Sequence, residues 1–179
     1  MRTRKPQSCR RVAGSISVFV AAVVGLACPL LAAEAKPGDP AAPPVPPAIA
    51  PLLDAIQAQD AAAAEKLARD LVKLGPQGIA ALCGLVVEPG KIDDSKARFA
   101  LHGLAMYTAR PGAETERLMV CEAFRKVLAG PAPAAVKGFF LRQLRLMGCP
   151  KAIPAISEFL LNEELSEYAA QALVSIGGE

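Results

Sequence analysis

The chain has no tryptophan, a single histidine (His102), two tyrosines and six phenylalanines among its 179 residues. One imidazole excludes a metal cluster built on several histidines and any nucleophile–base set that needs a second one. Cys83, Cys121 and Cys149 have no C-x-x-C spacing, which removes the usual zinc and dithiol-redox signatures. Neither a phosphate-binding G-x-x-x-x-G-K-[ST] loop nor a G-x-S-x-G elbow is present. No catalytic residue, metal or cofactor is therefore expected, and the chain reads as a non-enzyme. β-Branched residues are sparse after position 31, while Ala and Leu supply much of the apolar content, a composition that favours close-packed helices over sheet.

An excess of charge of one sign is also missing, once the ends are separated. Of 20 basic residues, five (Arg2, Arg4, Lys5, Arg10, Arg11) precede position 36, together with Glu34 alone of the 17 acidic ones. The remainder holds 15 basic and 16 acidic residues, a net charge near −1, so no nucleic-acid partner is expected.

What is present begins with an export pattern. A basic opening over 1–11 precedes an uncharged run of 20 residues over 12–31, and Ala33-Glu34-Ala35 supplies a small-residue cleavage motif. Residues 1–35 read as a secretory signal peptide cut between Ala35 and Lys36. Two alternatives stay open: an uncleaved anchor, because about 20 apolar residues just span a bilayer, and acylation of Cys28 in a loose lipobox. Either is the only route to a membrane, and in each case the rest of the chain is exported. Half of residues 36–47 are proline, so 36–48 reads as a Pro/Ala-rich extended spacer.

From residue 49 the chain repeats. Leu71-x-x-Leu74-Gly75, Leu144-x-x-Met147-Gly148 and Leu173-x-x-Ile176-Gly177 each look like the last apolar turn of a helix closed by glycine. Ile49-Ala-Pro-Leu52, Ile79-Ala-Ala-Leu82 and Ile153-Pro-Ala-Ile156 each look like a helix start. The start marks lie 30 and 74 residues apart and the glycines 73 and 29 apart, which gives a unit of 29 to 40 residues used four times, the second glycine mark being degraded near Thr108. Apolar spacing predicts two helices per unit: 49–57 with 60–74, 78–87 with 94–107, 115–129 with 133–147, and 153–160 with 165–176. Asp60 and Asn162 are placed as helix caps, and Pro89-Gly90 as a break.

The fourth unit, 152–156 followed by Tyr168-Ala-Ala-Gln-Ala-Leu-Val-Ser-Ile-Gly177, resembles bacterial HEAT-type repeats, including the variety found in bilin lyase subunits. Ser166 stands where such repeats usually carry an arginine, although Arg98 falls near that place in the second unit. The resemblance implies an all-α protein, an α-solenoid of about four antiparallel helix pairs over 49–179, acting as a protein-interaction surface.

Carboxylates cluster at helix starts (Asp93-Asp94, Glu114/Glu116, Glu163-Glu164), where capping and the helix dipole account for them. Arg125, Lys126, Lys137, Arg142 and Arg145 gather in the third unit. Phe139-Phe140 lies on the same helix, and adjacent residues point about 100° apart, so one ring is expected at the surface beside Arg142. Phe139, Phe140, Arg142 and Arg145 are thus the candidate partner-binding residues. The expected function is an exported scaffold that binds a protein partner. The alternative is the N-terminal repeat portion of a larger exported enzyme, with the array running on past Glu179.

Overall fold

The computed structural model describes residues 43–56 and 61–178. The signal peptide, its cleavage residues Ala33, Ala35 and Lys36, Cys28, most of the Pro-rich spacer and the cap at Asp60 lie outside the described residues. Every regular element among the described residues is helical, and the all-α expectation holds.

The elements run α1 (Ala50–Asp54), α2 (Ala61–Lys73), α3 (Gly75–Cys83), α4 (Ser95–Ala109), α5 (Glu114–Ala129), α6 (Ala134–Met147), a 3₁₀ turn (Pro150–Ala152), α7 (Ile153–Ser157) and α8 (Ser166–Gly177). Their boundaries follow local chemistry. Glu114 and Glu116 occupy the first turn of α5 and Lys126 its last, each sign at the favourable end of the helix dipole. Gly148 closes α6 in the left-handed conformation (φ 61°), with its N–H donating to the Leu144 carbonyl. Arg110-Pro111-Gly112 ends α4, and Gly112, at φ 84°, lies four residues beyond the degraded glycine mark at Thr108. Thr108 itself is buried inside α4, its hydroxyl donating to the Leu104 and Ala105 carbonyls at 3.0 and 3.1 Å.

Asn162 acts as a cap, accepting from the Glu164 and Leu165 N–H groups at 3.0 and 3.1 Å, although the helix proper begins at Ser166. α7 is shorter than its apolar stripe predicts. After Ser157 the chain tightens into turns in which Phe159 N–H donates to Ile156 and Leu160 N–H to Ser157, and Leu160 is left exposed.

Packing follows a simple rule. α2, α4, α6 and α8 each lie against the next of that series, and α3, α5 and the 3₁₀/α7 segment form a second layer behind them. The core runs between the layers through Leu82, Leu101, Leu104, Phe124, Leu128, Phe140, Leu141 and Leu144, all at most 1% exposed. Small residues set the spacing: a Cβ on Gly138 of α6 would stand 3.3 Å from the Tyr168 ring of α8, so glycine lets these two helices come close.

Two arginines tie the ends of helices to their neighbours. Arg98 pairs through Nε with Asp94 (2.8 Å), donates through Nη2 to the Val87 carbonyl (2.7 Å), and sits 4.9 Å above the Phe139 ring. Asp94 in turn accepts from the Val87 N–H at 2.9 Å. Arg117 donates to the carbonyls of Thr108, Ala109 and Arg110, satisfying the C-terminus of α4.

Candidate functional site

The outward side of α4 is unusual for an amphipathic helix. Its core side carries Leu101 and Leu104 among the smaller Ala97, Ala100, Ala105 and Thr108, which let the layers come together, and Phe99 and Met106 fall on the other side. Phe99 is 47% and Met106 53% exposed, at the i and i+7 positions of one stripe that also carries His102. α6 presents Arg142, Arg145 and Leu146 toward the same space, while most of its other residues beyond the first turn are buried.

Between the two helices lies an open groove of about 690 Å³, lined by Arg98, Phe99, His102, Arg142, Arg145 and Leu146, with the edge of Phe139 and Gln143 at its base. Phe99 and His102 also border a second depression of about 490 Å³ that continues along α4 to Met106, Tyr107 and Arg110. Phe99 therefore stands at the junction of the two. His102 Nδ1 lies 3.1 Å from the Gln143 side-chain oxygen, a bond that joins α4 to α6 across the floor.

The charges in the groove are not all balanced. Arg98 is paired with Asp94. Among the described residues neither Arg142 nor Arg145 pairs with a carboxylate: Arg142 stacks 5.1 Å from the Tyr168 ring, and Arg145 Nη1 donates to the Gln171 amide oxygen at 2.8 Å. Both cations keep donors free for an incoming anion.

The expected site residues divide. Arg142 and Arg145 line the groove together. The expectation of an exposed ring among Phe139 and Phe140 is corrected: they are 6% and 0% exposed. Phe140 packs 5.1 Å from Phe124 and 5.2 Å from Phe139, whose outer face is covered by Arg98. α6 is enclosed by α4, α5 and α8, so an angular separation of 100° still leaves both rings inside. The exposed aromatic is Phe99, which sequence reasoning passed over; its signal was the 99/102/106 stripe opposite the Ala-rich one. Arg125 and Lys126 belong to the other layer, where Arg125 pairs with Glu122 at 2.8 Å.

A further hollow of about 550 Å³ separates α3 from α5 and the start of α6. It is lined mainly by apolar side chains such as Val86, Val127 and Val136, and its Lys91 is already paired with Glu88 at 2.8 Å. Among the described residues no three His, Cys, Asp or Glu side chains converge as metal ligands. No helix among them is long and apolar enough to cross a membrane. The chain matches no family model, no curated protein and no solved structure.

Proposed function

We propose that the protein is an exported, non-catalytic scaffold of HEAT-like helix pairs, arranged as a short α-solenoid, which holds an acidic, apolar segment of a partner protein in the α4–α6 groove. The serial packing of alternate helices and the stacking of Arg98, in the second unit, on Phe139 of the third support the repeat reading. Export rests on the sequence pattern of residues 1–35. The observation that carries the binding proposal is the exposed Phe99 facing two arginines that lack carboxylate partners among the described residues. A half-exposed aromatic supplies apolar contact area and the two cations set the sign of the partner.

The test uses two helical peptides of matched apolar content, one carrying glutamates and one lysines, titrated against the full-length chain by fluorescence anisotropy. The acidic peptide is expected to bind more tightly, to weaken with added salt, and to lose about tenfold or more in affinity with Phe99→Ala. Equal binding of both peptides, or no effect of Phe99→Ala, overturns the assignment. Export is checked separately by the intact mass of the protein in its source cell, where a species spanning 36–179 is expected.

A second reading, the repeat portion of a larger exported enzyme, is favoured by Leu161 and Val174, 98% and 76% exposed beside and on the last helix, where a further helix pair would bury them. A polypeptide mass well above 18.6 kDa for the protein from its source cell, on a denaturing gel, would support it.

A further inference from the structure

Charge is unevenly divided along the chain after residue 35. Residues 36–151 carry 15 basic and 11 acidic side chains, whereas residues 152–179 carry five carboxylate side chains and no lysine or arginine. The last helix pair is thus an acidic end on a basic body. Glu158, Glu163, Glu164 and Glu167 lie on or beside the turn that joins α7 to α8, and all four are exposed. Among the described residues none of them forms an ion pair.

The helix dipole accounts for the glutamates at the start of α8, but not for Glu158 and not for the leucines that follow it. Leu160 is 42% and Leu161 98% exposed. The turn that carries them is bonded on both sides: Leu160 N–H donates to Ser157 and Asn162 N–H to Phe159, while the Asn162 side chain accepts from Glu164 and Leu165. Two leucines between carboxylates are therefore presented by a segment that is already ordered, which lowers the cost of docking it. The α4–α6 groove has the opposite character, with Phe99 half-exposed and Arg142 and Arg145 without carboxylate partners among the described residues. Within one chain the two do not meet. The turn is tied to its own α6, where Leu165 and Tyr168 pack at Gly138 and the Phe159 ring lies 5.4 Å from the Lys137 ammonium.

We propose that the occupant of the groove is the 158–164 turn of a second copy of this chain, with Leu161 and Leu160 against Phe99 and the carboxylates of Glu158, Glu163 and Glu164 facing Arg142 and Arg145. The inference rests on the reading of the groove as a docking face for an acidic, apolar segment, and it names that segment. Groove and turn are different surfaces, so the contact is heterologous: each copy offers its turn to one neighbour and its groove to another, and association runs head to tail. The two patches are small, so the contact is weak and reversible. Its charges are at the surface, so salt weakens it further.

The experiment is sedimentation velocity of the full-length chain from about 5 to 500 µM, at low and high salt. The wild type is expected to shift from monomer to dimer and larger species as concentration rises, and less so at high salt. Leu161→Lys and Phe99→Ala are each expected to weaken self-association about tenfold or more, with Leu161→Lys melting as the wild type does because its site is in water. Mixed in equal amounts, the first variant supplies an intact groove and the second an intact turn. The mixture is expected to form a one-to-one pair at concentrations where neither variant associates alone. The glutamate peptide used for the groove is expected to dissociate the wild-type assembly and to bind the Leu161→Lys monomer. A wild type that stays monomeric while that peptide still binds overturns this inference alone, and leaves the groove to a different protein. Failure of the peptide to bind overturns the groove reading as well. Self-association undiminished by either substitution, or a mixture that associates no better than its components, also overturns the inference.

Discussion

Replacing Phe140 by alanine tests the central correction, that the aromatic pair of α6 is core. The Phe140 ring is fully buried, in contact with Phe124 and Phe139 at centroid distances of 5.1 and 5.2 Å. Removing a buried Phe side chain costs about 3–5 kcal/mol, and the loss of two tilted aromatic contacts places this site in the upper half of that range. For a domain of this size, with a total stability of about 5–15 kcal/mol, the urea midpoint falls by about 2 M. Phe139→Ala removes a ring that is 6% exposed and covered on one side by a guanidinium, and is expected to cost about 3 kcal/mol. Phe99→Ala, at a site 47% exposed, should cost no more than about 1 kcal/mol. The assay is equilibrium urea unfolding followed by circular dichroism at constant m. A Phe140→Ala cost below about 1 kcal/mol, or a Phe99→Ala cost equal to it, would refute the assignment of inside and outside.

Three further outcomes follow from particular contacts. Gly138→Leu forces a branched side chain into the 3.3 Å gap before Tyr168 and is expected to destabilise by about 2–3 kcal/mol, whereas Gly138→Ala stays within about 1 kcal/mol because the helix-propensity gain offsets the tight contact; thermal melts of both variants decide. Arg98→Lys keeps the charge facing Asp94 but loses the planar stack on Phe139 and the simultaneous donation to Asp94 and the Val87 carbonyl, so it should cost about 1–2 kcal/mol, with Arg98→Ala costing more because Asp94 and the Val87 carbonyl both lose a partner. Glu114 accepts the Gly112 N–H at 3.1 Å, and backbone N–H groups hold its carboxyl below its ordinary 4.5. In that range the unfolded chain binds the extra proton, so its contribution is present above 4.5 and lost as pH falls through the lowered value. Melting temperatures of Glu114→Gln, taken from pH 6 to pH 3, should show a shallower acid decline than the wild type.

Helix positions were legible in the sequence because they depend on local signals. Glycine closed α6 where the pattern placed it, Pro89-Gly90 broke the chain before α4 with Gly90 at φ 86°, and Asn162 satisfied the N–H groups entering α8. The inside and outside of each helix were less legible, because they depend on how many neighbours a helix has. α6 touches α4, α5 and α8, so its buried arc takes in Val136, Phe139, Phe140, Gln143 and Met147, more than a single amphipathic stripe. α4 shows the opposite case: close layer packing takes Ala97, Ala100 and Ala105 inward, and the larger Phe99, on which no sequence signal was read, stays outside.

The two layers present different surfaces, and the difference is the reason for proposing the α4–α6 groove as the docking face. The hollow between α3 and α5 is mainly apolar, with Glu88 and Lys91 joined at its rim and Lys126 as its one other charged side chain. Such a surface provides contact area but little to fix orientation or to reject a wrong occupant. The α4–α6 groove has an apolar anchor in Phe99 and, at its α6 wall, Arg142 and Arg145, held in position by Tyr168 and Gln171 rather than by carboxylates. Positive charge fixed by neutral neighbours keeps its field for whatever enters. The double substitution Arg142→Glu plus Arg145→Glu should therefore do more than weaken an acidic peptide: it should reverse the preference, so that the lysine peptide becomes the tighter ligand while the melting temperature changes little. Loss of both peptides together, with the fold intact, would show that the arginines shape the groove without selecting the sign of its occupant.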